Sequence, residues 1–313
     1  MKNSFDVIVI GGGHAGVEAA LAASRMGAKI ALVTIEERGI GVMSCNPAIG
    51  GIGKGHIVKE IDALGGGMSK AADNSSIQYK LLNASKGPAV RGPRCQADRE
   101  LYQKSIQKLI QNEKIEVISN MVTGLVIKKN KIEGGELNKE YIINTNAVVL
   151  TTGTFLNGVI HMGEKRVSAG RINEKASNEL GKFLSSLSLP ISRLKTGTPP
   201  RILKDSINFD ILEQDLADKK PEFFSIETKN IKNKQVACFI TWTNKDTHKI
   251  IKNSLTKSPL YNGAISSRGP RYCPSIEDKI ERFYDKEKHR VMLEPEGLNS
   301  KLIYPNGIST SLP

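Results

Sequence analysis

Two cysteines and a run of glycines are the residues of this chain best suited to chemistry. Cys45 stands in Ser44-Cys45-Asn46-Pro47 with Lys54 shortly after it, and Cys273 stands in Arg271-Tyr272-Cys273-Pro274, just ahead of a helical pattern. A thiol beside polar groups and a lysine, or at the approach to a helix N-terminus, is favoured as thiolate, the nucleophilic form. Cys45 equally suits a small buried filler, and its position leaves both readings open. The sequence has 4 cysteines, and Cys95 and Cys238 complete the set. With no Cys-x-x-Cys pair among them, the pattern is neither a zinc site nor a secreted disulfide framework, and a reducing compartment is expected.

The glycine run is Gly11-Gly12-Gly13-His14-Ala15-Gly16, which contains G-x-G-x-x-G. In such a run Gly11 makes the tight turn, Gly13 lets a pyrophosphate approach the backbone, and Gly16 lets helix and strand pack closely. The N–H groups that open the helix then face the phosphates. Taken alone the pattern is weak, and a Gly-rich turn would satisfy it. Its context is the confirming sign: an apolar β-branched strand over residues 5–10, an Ala-rich helix over 17–26 stopped by Gly27, and a strand over 29–34. Together these predict a βαβ unit that binds a dinucleotide. Glu36 falls where an acidic residue often holds the adenosine ribose, although a solvated loop charge fits as well.

Residues 40–67 are dense in glycine, so their backbone can lie against a ligand. They are not a Walker A loop, because Ala48 stands where that pattern needs Gly and Gly55 where it needs Ser or Thr, and a nucleotide triphosphatase is excluded. A helix is expected over 56–64. Residues 83–99 read as a rigid basic loop that offers Lys86, Arg91, Arg94 and Arg99 to phosphates, with an ordinary solvated loop as the alternative. An amphipathic helix follows over 98–112. A short third strand is expected at 116–119, and 121–128 begins a β-meander that continues through 131–145, the layout of a flavin-binding dinucleotide fold in which the chain near Val122 offers backbone groups to the adenine. A fourth parallel strand, 147–153, ends in Thr151-Thr152-Gly153, and this pairing of an apolar run with Thr-Gly favours FAD over NAD in the first site.

Further on, a helix is expected over 175–186 with Ser177 near its start. Residues 192–201 form a second basic loop carrying Lys195 and Arg201. From 202 to 266 the composition turns toward Lys, Asp, Asn and Thr around a strand at 236–243, and reads as an inserted domain. The predicted organisation is therefore a first part of an FAD-binding domain (1–201), an inserted substrate- and NAD-side domain (202–266), and a return to the FAD-binding domain (267–313). Trp242 is read as packing, with base stacking as the alternative. Residues 294–313 read as turn-rich.

The 313 residues carry 45 Lys and Arg against 32 Asp and Glu, a formal charge of +13. That excess favours a polyanionic partner, nucleic acid first and an acidic membrane surface second, or else reflects a lysine-rich composition without purpose. Folding is expected to begin within a few residues of Met1, leaving no room for a signal peptide. No apolar run approaches membrane-spanning length, and a cytoplasmic protein is expected.

Several stretches resemble the MnmG/GidA family: DVIVIGGGHAGVEAA, MSCNPAIGGIGKGHIVKEIDALGG, LLNASKGPAVRGPRCQADR, RLKTGTPPR, GPRYCPSIEDKIERF, and EPEGLNS with YPNGISTSLP. The resemblance covers essentially the whole chain. It implies an FAD-dependent enzyme that installs 5-carboxymethylaminomethyl groups on the wobble uridine of certain tRNAs. The fold it implies is α/β, an FAD-binding Rossmann-like domain of the glutathione-reductase type with a β-meander and an inserted α/β domain. FAD would lie on Gly11 to Gly16, with further contacts at Val122 and Ser177. NADH would be contacted along Gly269, Pro270, Arg271, Tyr272, Cys273, Pro274, Ser275, Ile276, Glu277, Asp278, Lys279, Ile280, Glu281, Arg282 and Phe283. Methylenetetrahydrofolate would supply one carbon, and glycine or ammonium the amine. Cys45 and Cys273 match the two cysteines tied to the uracil chemistry, no metal is implied, and the basic loops are candidates for tRNA phosphates. The partners implied are tRNA, a second copy of the chain, and an MnmE-type GTPase that forms a heterotetramer in the family. Two departures stand out. Ile35-Glu36 replaces the family's frequent His-Asn, and the family's chains continue past ISTSLP to about twice this length, so a truncated gene, a split gene or a partial record is expected. The competing readings are a folate- and FAD-dependent tRNA uracil-5-methyltransferase, a non-catalytic remnant, and a generic NAD oxidoreductase.

Overall fold

The computed structural model describes residues 4–265 and 274–313. The βαβ unit comes first: β1 (Ser4–Ile10), α1 (His14–Arg25) and β2 (Ile30–Thr34). β1 and β2 pair in parallel, with Val7 opposite Ile30 and Ile10 opposite Val33. Gly16, Val17, Ala20 and Leu21 form the buried stripe of α1, the spacing that lets one helix face lie on a sheet. A compact run follows: β3 (Ala48–Gly50), α2 (Lys54–Ala63), α3 (Met68–Ser75), β4 (Ser76–Leu82), β5 (Gly92–Ala97) and α4 (Arg99–Asn112). β5 is the middle strand of an antiparallel three-stranded sheet in the order β3-β5-β4.

This corrects the expected loop over 83–99. Only its first part is loop; from Gly92 the chain is a buried central strand, with Cys95, Gln96 and Ala97 inaccessible to solvent. Pro93 and Arg94 disguise it, because they interrupt the apolar alternation by which a strand is usually recognised. The Arg94 charge is met by an ion pair rather than by water.

β6 (Glu116–Ser119), β7 (Val122–Lys128), β8 (Lys131–Leu137) and β9 (Tyr141–Leu150) complete a six-stranded sheet ordered β6-β2-β1-β9-β8-β7. β6, β2, β1 and β9 run parallel, while β8 and β7 continue antiparallel. The third meander strand and the fourth parallel strand, expected as two, are one continuous strand: Asn144 of β9 faces both Ser4 and Gly134. β6 and β7 are opposite edges of this sheet, yet only Asn120 and Met121 separate them. Two linking residues bridge no more than about 10 Å, so the meander folds back over one sheet face. A single apolar cluster records that packing, joining Val122, Leu137 and Ile143 of the meander to Ile8, Ile10 and Val33 and to Leu180 of a later helix.

The hairpin β10 (Val159–Met162) with β11 (Lys165–Ser168) and helix α5 (Asn178–Ser186) come next. The remaining elements are β12 (Ile202–Leu203), β13 (Glu213–Asp215), β14 (Cys238–Trp242), α6 (Lys245–Ser254), α7 (Ile276–Arg282), β15 (Arg290–Pro295) and β16 (Leu302–Asn306). The five strands among them form one sheet in the order β12-β16-β15-β14-β13. Residues 202–266 therefore share their sheet with strands beyond 266, and the stretch expected to be turn-rich (294–313) supplies β16 and the last two residues of β15.

Candidate functional site

The glycine run occupies the carboxyl end of β1, in the crevice where open α/β sheets take ligands. Gly11 has φ +109°, and a Cβ there would collide with the Thr151 carbonyl. A Cβ on Gly16 would drive into the Gly11 carbonyl oxygen, so that helix and strand meet at this glycine. Gly13 is different: a Cβ there would meet nothing within 4 Å. It is also the N-cap of α1, and no side chain caps the helix. Orphan N–H groups beside open space, at the positive end of a helix dipole, meet the needs of a pyrophosphate. Thr151 closes the floor, its hydroxyl donating to the Ile10 carbonyl at 2.8 Å.

Other residues expected around a dinucleotide gather at the same ends of the strands. The N–H of Asn120 donates to the Thr34 carbonyl at 2.8 Å, which brings the start of β7 and Val122 beside the end of β2. Glu36 follows β2 and is bonded to Arg38 on the surface. Ser177 is the N-cap residue of α5, buried, with its N–H on the Phe155 carbonyl at 2.8 Å. Phe155 lies shortly beyond Thr151, so Ser177 approaches along the segment that leaves β9.

Cys45 lies in the loop before β3, partly buried. Its Sγ is 3.2 Å from the Tyr304 hydroxyl of β16 and 3.7 Å from the Gly197 carbonyl. The loop backbone is clamped by arginines. Arg99 donates to the carbonyls of Met43 and Cys45, and Arg201 reaches the Cys45 carbonyl at 3.3 Å. Both guanidiniums share Glu296, at 2.8 and 2.7 Å, a carboxylate only 6% exposed. The Arg201 guanidinium also lies 4.6 Å from the centre of the Tyr304 ring. Lys54 does not meet the thiol directly. Its ammonium turns onto the Ala48 carbonyl at 3.0 Å, where desolvation pulls its pKa below the ordinary lysine value.

Helix α4 ties the two regions together. Arg99 is its first residue, and one turn later the Tyr102 hydroxyl lies 3.1 Å from His14 Nδ1 in the glycine cradle. Residues three apart share a helix face, so one turn of α4 serves both the cradle and the cysteine loop. Asp98 fixes that turn, accepting from the N–H groups of Glu100 and Leu101 at 3.0 Å. Burial, with the nearby Lys54 charge, lowers the His14 pKa to about 4, so its imidazole is neutral near pH 7.

The basic residues expected at phosphates divide into two groups. Lys86 and Arg91 are exposed in the loop after β4. Arg94 instead pairs with buried Glu294 at 2.6 Å, Arg99 and Arg201 pair with Glu296, and Lys195 lies 3.8 Å from Asp278, 7% exposed along its side chain. These four cations are all paired within the fold, on three carboxylates. Of the stretch read as an NADH contact, Gly269, Pro270, Arg271, Tyr272 and Cys273 lie outside the described residues. Ser275 and Asp278 form a capping box at the start of α7, Glu277 is buried, accepting from Thr310 and Ser258, and Lys279 donates to the Gly307 carbonyl. Pro274, Glu281, Arg282 and Phe283 are exposed, whereas Ile276 and Ile280 are core. Cys95 and Cys238 are also core, and burial pushes both thiols up to about 12. Sequence reasoning missed Tyr304, Glu294 and Glu296. The closely spaced glutamates in an otherwise uncharged EPEGLN were the available sign.

The tRNA uridine 5-carboxymethylaminomethyl modification enzyme MnmG of Sulfurihydrogenibium sp. is 52% identical over 317 residues, covering 98% of this chain and 51% of that protein. The enzyme of the same name from Granulibacter bethesdensis is 53% identical over 314 residues, covering 99% and 50%. Among solved structures, Aquifex aeolicus GidA in its form I crystal superposes with a TM-score of 0.93 at 50% identity, covering 99% of this chain and 53% of that one. The chain thus spans about half the length of the relatives it matches. Residues 6–313 match the model of the family described as glucose inhibited division protein A, and the chain belongs to that family.

Proposed function

We propose that this chain carries the cofactor and thiol half of a flavin-dependent enzyme that modifies uridine in tRNA. The observation that carries the reading is the open cradle at Gly13, linked through one turn of α4 to the clamped Cys45 loop. In this reading the helix N-terminus at residues 13–16 holds the pyrophosphate of FAD. Val122 and Glu36 lie toward its adenosine, and Ser177 borders the flavin side. Bound FAD would supply redox chemistry, with NADH as reductant and methylenetetrahydrofolate as one-carbon donor.

The chain's own part is to prepare the uracil. Carbon C5 of uracil is a poor nucleophile. Addition of a thiolate sulfur to C6 shifts the C5–C6 π pair into an enolate, and C5 then attacks an electrophile. Among the described residues Cys45 is the thiol with a hydroxyl partner and partial exposure, and Cys273 is its proposed companion. Lys86 and Arg91 would meet tRNA phosphates. A second copy of the chain and an MnmE-type GTPase are the protein partners of this reading.

The first test is the visible spectrum of the purified chain after addition of FAD and desalting. A retained, perturbed flavin band is expected, and its absence would overturn the cofactor assignment. The second is Cys45→Ser in a complementation assay read by mass analysis of tRNA. Loss of the 5-carboxymethylaminomethyl product is expected, whereas full modification would remove Cys45 from the chemistry.

A further inference from the structure

We propose that Tyr304 is a positioning residue for the Cys45 thiolate, donating its phenolic hydrogen to the sulfur; the inference rests on the reading of Cys45 as a nucleophile. The geometry is two-sided. The sulfur stands 3.2 Å from the Tyr304 hydroxyl and 3.7 Å from the Gly197 carbonyl oxygen. A carbonyl oxygen can only accept, so a bond to it requires the S–H form. A hydroxyl can donate, and a donor favours the anion. Tyr304 can thus donate to the sulfur in its reactive form, whereas Gly197 can partner only the thiol.

The surroundings keep the phenol in the donor role. Tyr304 is buried, and burial first, then its contact with Cys45, pushes its pKa far above the ordinary phenol value. The charged groups about the pair come from several elements: Lys54 of α2, Arg99 of α4, Arg201 before β12, and Glu294 of β15. Arg201 lies over the Tyr304 ring at 4.6 Å while it binds the Cys45 carbonyl, so ring and loop are fixed by the same guanidinium.

The experiment is alkylation of the purified 313-residue chain with iodoacetamide near pH 7, with each cysteine followed by peptide mass mapping. The thiolate carbon–sulfur bond forms as iodide leaves, so the rate reads thiolate fraction times nucleophilicity. Tyr304→Phe keeps the ring and removes the donor. Loss of a hydrogen bond to a charged group cuts the thiolate fraction about tenfold, and the accompanying rise in nucleophilicity returns about half of that on a logarithmic scale. A net slowing of about threefold is expected at Cys45. A hydroxyl that only shields the sulfur would predict the opposite, faster alkylation, and a rate unchanged or raised overturns the proposal. Cys95 and Cys238, both fully buried, report on the fold by staying unmodified. Should Tyr304→Phe expose them, 3-fluorotyrosine at position 304 decides the matter. It is nearly the same size and a stronger donor, so faster alkylation supports the proposal and an unchanged or lower rate overturns it. None of these readouts involves tRNA. Slower alkylation with an active Cys45→Ser enzyme would refute the proposed chemistry and leave the Tyr304 contact standing.

Discussion

Gly13 and Gly16 sit in one turn but have opposite reasons to be glycine. At Gly13 an added methyl meets no atom of the protein, and the backbone there is at φ −74°, open to any residue. Gly13→Ala is expected to cost less than about 1 kcal/mol, the usual difference between residues at an N-cap, yet to abolish flavin retention by filling the phosphate position. Gly16→Ala forces a methyl onto the Gly11 carbonyl oxygen and is expected to cost at least about 2 kcal/mol. Paired urea midpoints and flavin spectra separate the two; equal loss of stability in both variants would refute the open cradle. His14 adds a pH signature. Its folded pKa is about 4 against an ordinary 6.5, because burial and Lys54 disfavour the cation. The unfolded chain therefore takes up the proton first as the pH falls. The stability associated with neutral His14 is whole above 6.5 and is lost progressively down to about 4. His14→Gln, which cannot titrate, is expected to narrow the stability difference between about pH 7 and pH 5. A urea-midpoint profile identical to that of the parent chain would remove His14 as the cause.

At the scale of elements, the Cys45 loop owes its shape to residues far away in sequence. Glu296, just past β15, receives Arg99 from α4 and Arg201 from the segment before β12, and both arginines bind carbonyls of the loop. Glu296→Ala leaves two guanidiniums with their partner removed and is expected to cost about 3 kcal/mol. It should also release the loop, seen as faster proteolysis between Met43 and Pro47. Glu296→Gln removes the charge but keeps an acceptor and should lose less, and equal losses in the two variants would mean that the charge, not the hydrogen bonds, is the operative feature. This clamp explains where sequence reading succeeds and where it stops. The βαβ unit was legible because its signals are local: glycines, a β-branched run and an Ala-rich helix lie within a few turns of one another. Arg94 was read as a loop cation because its partner Glu294 lies 200 residues away, and only folding places the two at 2.6 Å. A like dependence on partners hid β16, whose Pro305 and flanking Gly297 and Gly307 look like turns until neighbouring strands supply the ladder. Tyr304, reading as one more residue of that stretch, acquires meaning only from the sulfur of a loop at the other end of the chain.

For the whole molecule, a charge of +13 invites a polyanion, but the total overstates what a partner could meet. Arg94, Arg99, Arg201 and Lys195 are paired inside the fold with Glu294, Glu296 and Asp278, two of them on the one Glu296, so substituting them should act first through stability. Lys86 and Arg91 stand exposed in the β4–β5 loop, and the β5 strand that follows carries Arg94 and Cys95 into the interior beside the Cys45 region. A polyanion held at Lys86 and Arg91 would thus be tethered to the same short sheet that positions the thiol. Replacing both with alanine is expected to leave the circular dichroism and urea midpoint unchanged. It should weaken tRNA binding across sequences and lower the slope of log affinity against log salt by about 1 to 2, since each phosphate contact releases close to one counterion. Filter binding or fluorescence anisotropy across a salt series reads both quantities. Affinity and slope both unchanged would move the RNA contact elsewhere, and a loss of affinity with an unchanged slope would mean that the loop acts by shape rather than by charge.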